Sequence, residues 1–100
     1  MANSPLLHSY PWYISDWLGS ETRFGMNTEE RAIYRDLLDH CWQHGSLPTD
    51  TRVLSAMSAV TLHQFNRAWP KVSAKFFEKG GRYFNEKVNE KRDSVLRAHE

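Results

Sequence analysis

A chain of one hundred residues with 40% hydrophobic and 25% charged side chains has the composition of one small globular domain, not of a disordered or multidomain protein. Its net charge of +1 gives it no global cationic excess, and its single cysteine, Cys41, excludes an intrachain disulfide and suits a reducing cytoplasm. No apolar run reaches the roughly 18 residues of a membrane span and the N-terminus lacks a signal-peptide layout, so a soluble, cytoplasmic protein without membrane attachment is expected.

Residues 1–9 read as a flexible tail and residues 10–100 as the domain. Tyr10-Pro11-Trp12-Tyr13-Ile14 is apolar and aromatic, but Pro11 bars a central strand, so the segment reads as an extended anchor. Ser15-Asp16-Trp17-Leu18-Gly19 predicts one short helical turn, capped by Ser15 and stopped at Gly19. The first long helix starts at Asn27, with Glu30 at the reciprocal capping position and Glu29 and Glu30 at the positive end of the helix dipole. Ile33, Tyr34, Leu37, Leu38, Cys41 and Trp42 then repeat at three and four, and Gly45 ends the pattern.

Ser46-Leu47-Pro48 reads as a short extended bridge. Thr49 or Asp50 opens a second helix through Val53, Leu54 and Met57 that gives way near Val60. Thr61, with Gln64 as its capping partner, opens a third helix whose buried face is Phe65, Ala68, Trp69, Val72 and Phe76. Pro70 is expected to kink or divide this helix near Trp69, or to start a new turn. Aromatic runs on both sides of Lys79-Gly80-Gly81 predict a β-hairpin, and Asn85 caps a charged last helix from Glu86 to His99. The helical pattern is still running at Glu100, which suggests the front end of a longer protein. Helix, short strand, helix, helix, hairpin is the winged helix-turn-helix order, so the expected fold is mainly α with a small β-hairpin.

The charge is unevenly distributed. Residues 61–82 hold five basic residues and one acid, Glu78, leaving eight basic and eleven acidic residues elsewhere. Arg67, Lys71 and Lys75 recur every four residues opposite the apolar face, and Lys79 and Arg82 bracket the glycine turn. Two readings fit this line: cations laid on nucleic-acid phosphate, or an ordinary solvated helix face. On the first reading His63, Gln64, Asn66 and Arg67 stand at the front of the third helix, where base edges are met, and Lys71, Lys75, Lys79 and Arg82 contact the backbone of duplex DNA.

An ordered series of short motifs runs along most of the chain: Tyr10-Pro11-Trp12-Tyr13, Asp16-Trp17-Leu18, Thr28-Glu29-Glu30-Arg31-Ala32-Ile33-Tyr34, Leu37-Leu38, Trp42, Leu47-Pro48-Thr49-Asp50, Trp69-Pro70, Phe76-Phe77 and Gly81-Arg82-Tyr83. Together they resemble the YdaU-like domain of unknown function (domain of unknown function 1376), found in phage, prophage and bacterial proteins, often at the front of replication-initiator-like proteins. The resemblance implies a small winged-helix-like domain with a DNA-binding or replication-related role. It brings no catalytic motif, and the long polar tail and further domain of longer members are missing here.

Other candidates reduce to packing. His40 and His44 lie four apart on a helix, but no paired cysteine, carboxylate or HExxH motif completes a metal shell, so surface histidines around a buried Cys41 are expected. Trp42 and Trp69 belong to the core pattern, while Trp12 and Trp17 are candidates for holding a protein partner, such as a replication or host factor. The sequence shows no nucleophile elbow, phosphate loop or acidic pair, so a non-catalytic protein without cofactor or metal is expected. The runner-up function is a protein-interaction module on the same scaffold.

Overall fold

The computed structural model describes residues 14–98. Its elements are α1 (Ile14–Leu18), α2 (Glu21–Phe24), α3 (Thr28–His44), α4 (Thr51–Met57), α5 (Leu62–Val72), β1 (Phe77–Lys79), β2 (Arg82–Phe84) and α6 (Glu86–Arg97), with one 3-10 turn at Ser73–Lys75. The architecture is mainly helical with a β-hairpin wing, as the sequence predicts. The N-terminal tail, the anchor segment with Trp12, and the predicted end of the last helix at His99 lie outside the described residues.

Capping chemistry fixes the long helices. Asn27 accepts the Glu30 amide at 2.8 Å while the Glu30 carboxylate accepts the Asn27 amide at 2.8 Å, so two otherwise unpaired donors at the start of α3 are satisfied. Thr61 and Gln64 repeat the device at the start of α5. Asn85 caps α6 through Val88 N–H and donates its own amide to Lys75 O, which ties the start of α6 to the 3-10 turn.

The core gathers the predicted faces. Ile33, Leu37, Cys41 and Trp42 of α3 meet Leu54 of α4, Phe65, Ala68 and Val72 of α5 and Val88 of α6. Trp69 stacks on Phe65 with ring centres 5.1 Å apart and meets Tyr83 edge-on at 5.3 Å, so α5 and the wing share one aromatic cluster.

Two features differ from the sequence expectation. The third helix is not divided at Pro70: α5 runs unbroken from Leu62 to Val72. Pro70 lies in its last turn, and the carbonyl left without a donor belongs to exposed Asn66, on the side open to water. The helix-to-wing transition is instead made by the 3-10 turn. A short α2, capped by Ser20 and closed by Gly25, is present where no element is predicted. The short extended segment expected at Ser46-Leu47-Pro48 is present: Leu47 exchanges both backbone hydrogen bonds with Tyr83, at 2.8 and 3.0 Å, adding a one-residue third strand beside the wing.

The α4–α5 turn is a Schellman closure. Val60 N–H reaches Ser55 O and Ala59 N–H reaches Ala56 O, with Ala59 in the left-handed region at φ 55. This turn joins α4 to α5, and the two helices pack against each other.

Candidate nucleic-acid interface

Arg67, Lys71 and Lys75 are all exposed and follow one another along α5 and the 3-10 turn. Lys79 and Arg82 sit opposite each other at the wing tip, paired across the Gly80-Gly81 turn. Both glycines have positive φ, 60 and 74, which a two-residue hairpin of this twist requires. The five cations therefore fall on α5, the 3-10 turn and the two strands of the wing, all at the surface.

Their electrostatic states differ. Arg67 is neutralised: its Nε and Nη2 donate to the two carboxylate oxygens of Glu29 at 3.0 and 2.8 Å, joining α5 to the first turn of α3. The Arg67 hydrogen bonds hold the Glu29 carboxyl below its ordinary value, with nearby His63 adding to the effect, and Glu29 in turn raises the Arg67 pKa. Arg82 is oriented rather than neutralised. Its Nε donates to Ser46 Oγ at 3.0 Å and its Nη2 to Ser46 O at 3.4 Å. Lys71, Lys75 and Lys79 have no carboxylate partner among the described residues.

The base-reading candidates are reduced in the same way. The Gln64 side-chain oxygen is engaged in the α5 cap, while His63 and Asn66 remain exposed. A bidentate adenine contact by Gln64 would require opening that capping box.

A family model described as "Protein of unknown function (DUF1376)" matches residues 8–92. The chain belongs to this family. No curated protein and no solved structure matches it. Within this DUF1376 domain, the matched span takes in α5, the wing and most of α6.

The remaining candidates resolve by packing. Trp17 does not stand out as an exposed anchor; it stacks on Tyr34 of α3 at 5.9 Å. Besides Phe77 on the wing, the exposed aromatic is Phe24 at the end of α2, which is 71% accessible, carries Arg23 over its ring at 5.8 Å, and borders an open groove of about 670 Å³ shared with Arg67, Pro70 and Lys71. Sequence reasoning missed Phe24 because α2 has no periodic pattern to mark it. His40 and His44 stack at 6.0 Å, and His40 Nε2 lies 3.2 Å from Met57 O. Among the described residues no group of three His, Cys, Asp or Glu side chains could hold a metal. Burial pushes the Cys41 thiol up to about 12, against smaller opposing effects from the Asn85 backbone and Arg82.

Arg92 was also missed. Its Nε donates to Trp42 O at 2.9 Å and its guanidinium lies against Gly45, so it caps the C-terminal end of α3 from fifty residues away. The only sequence signal was a cation in a charged helix.

Proposed function

We propose that this domain is a non-catalytic DNA-binding module that grips duplex phosphate along the second half of α5 and the wing, in a replication or regulatory role of phage or prophage type, within the cytoplasm. The observation that carries the reading is the run of Lys71, Lys75 and Lys79: three exposed ammonium groups, without carboxylate partners among the described residues, on the recognition-helix position and its wing. Arg82, oriented by Ser46, adds a fourth cation. With Arg67 held by Glu29 and Gln64 held in its cap, the front of α5 offers few base contacts, so binding is backbone-led and tolerant of sequence.

Fluorescence anisotropy with a labelled duplex across a range of salt tests this. Each phosphate contact contributes a slope of about −0.9 in log K against log salt, so the three lysines and Arg82 predict about −3.6, of which the lysines supply about −2.7. The variant Lys71→Ala/Lys75→Ala/Lys79→Ala removes most of that slope, and Arg67→Ala changes it little. Absence of binding at low salt by folded protein refutes the proposal.

A second reading, a protein-interaction module, is favoured by Phe24 and its groove beside α5. It predicts that Phe24→Ser abolishes self-association or partner capture, measured by light scattering or co-purification, while DNA binding is unchanged.

A further inference from the structure

The register of the wing places four side chains on one face. Phe77 pairs with Phe84 and Lys79 pairs with Arg82, and residues two apart on a strand point the same way. Glu78 and Tyr83 therefore occupy the other face, where Tyr83 meets Trp69. The outer face carries two aromatic rings and two cations, and the hairpin's one carboxylate, that of Glu78, points away from it. The rings are stacked, 5.6 Å apart and 21° from parallel, and Phe77 remains 45% exposed on β1. Strand β1 forms the outer edge, because β2 is flanked on its other side by Leu47.

Two features of this face do not serve folding. Lys79 and Arg82 are like charges directly across a hairpin, an arrangement that destabilises the pair. The tip around Gly80 and Gly81 is clear of other atoms, with nothing within 4 Å of a side chain built at either position. A flat, open ring beside two uncompensated cations complements a ligand with an anionic backbone and exposed π-faces.

We infer that the outer face of the wing binds unpaired nucleotides, with a base stacked on Phe77 and the adjoining phosphates on Lys79 and Arg82. A base within a duplex is stacked on both sides and cannot present its face to Phe77, so away from a blunt end the ligand is single-stranded nucleic acid, or the single-stranded arm beside a duplex. A lipid surface fits less well, since stable electrostatic membrane docking uses clusters of about four to eight cations where this face has two. The inference rests on the nucleic-acid reading and moves Lys79 and Arg82 of the wing from the duplex to a single-stranded arm; the duplex grip of Lys71 on α5 and Lys75 on the 3-10 turn is a separate claim.

The test uses the whole chain and three labelled probes of equal length: a blunt duplex, a single strand, and a duplex with a single-stranded arm. The armed duplex is expected to bind about tenfold more tightly than the blunt one, and Phe77→Ala is expected to remove that preference while Phe77→Tyr keeps it. Circular dichroism checks that Phe77→Ala remains folded; if it does not, Phe77→Ser and the effect of Lys79→Ala on single-strand affinity serve instead. An unchanged armed-to-blunt ratio in folded Phe77→Ala overturns the inference and leaves the duplex reading standing. Single-strand binding without duplex binding does the reverse, and no binding to any probe removes both. Binding to phosphatidylserine–phosphatidylcholine vesicles or to polyglutamate that competes with the single strand and depends on Phe77 also overturns it, in favour of a membrane or acidic-peptide site.

Discussion

Gly45→Ala is expected to lower stability by about 2 kcal/mol, and the structure supplies each part of that figure. Gly45 closes α3 at φ 87, its amide bonded to Cys41 O at 2.8 Å. An L side chain in that region costs about 1–2 kcal/mol. The smaller entropy of the unfolded alanine chain returns about 0.4–1 kcal/mol. The new methyl group also meets Arg92 Nη1 at 3.1 Å and Cζ at 3.4 Å. Arg92 must move by a few tenths of an ångström, which strains its 2.9 Å bond to Trp42 O; a charge-assisted bond of this kind contributes about 1.5–3 kcal/mol when wholly lost. Partial loss of that bond brings the total to about 2 kcal/mol, or roughly 8–16 °C in melting temperature for a domain of this size.

Urea titration and thermal melts followed by circular dichroism read this directly. Arg92→Ala alone is expected to cost about 1.5–3 kcal/mol. The double variant is expected to be less destabilised than the two single effects added, because the methyl group no longer meets a guanidinium. A Gly45→Ala protein within about 0.5 kcal/mol of the parent would refute the cap geometry, and strict additivity would refute the contact with Arg92.

Ala59→Gly is expected to stabilise the domain by up to about 1 kcal/mol, read by urea titration, since Ala59 holds a left-handed position that glycine adopts without strain. Cys41 is expected to resist iodoacetamide at mildly alkaline pH until denaturant is added, because burial keeps it a thiol; prompt modification of the folded protein would contradict that. His44 has its pKa lowered by burial, then by His40, Arg92 and Arg82, so the folded state favours its neutral form. The corresponding stability is present above the unfolded value of about 6.5 and is lost as pH falls through the folded one; a His44→Gln variant is expected to flatten that limb in pH-dependent melts. Glu29→Gln is expected to free Arg67 for phosphate, steepening the salt dependence of DNA binding by about 0.9 with little change in melting temperature, and adding Arg67→Ala is expected to cancel the gain.

Local chemistry carried the fold. The Asn27–Glu30 and Thr61–Gln64 boxes, the buried stripe of α3 and the glycine pair of the wing act over a few residues, and each stands where the sequence pattern places it. Of the outcomes expected at Pro70, division of the helix does not occur, because α5 ends at Val72 and Pro70 stands in its last turn, where its missing N–H interrupts little of the ladder. The candidate site was less legible. The spacing of Arg67, Lys71 and Lys75 predicts one side of a single helix, but Lys75 lies on the 3-10 turn after α5 and the partner of Arg67 lies thirty-eight residues away on α3. Periodicity cannot register a contact made by tertiary packing. The same holds for Arg92 on Trp42 and for Leu47 on Tyr83.

Pairing changes what the cationic line can recognise. Counted along the sequence, its weight begins at Arg67, near the front of the third helix, where a helix-turn-helix protein reads bases. After Glu29 has taken Arg67 and the cap has taken Gln64, the uncompensated charge begins at Lys71 and runs through Lys75 to the wing. Its centre has moved by at least one helical turn, from the groove-reading end of α5 toward the hairpin. Lysines on flexible stems hold phosphate as point charges and carry little base information. On the proposed nucleic-acid reading, a domain charged in this way would discriminate structure better than sequence, and the feature on that path suited to it is the outward ring of Phe77 beside Lys79 and Arg82.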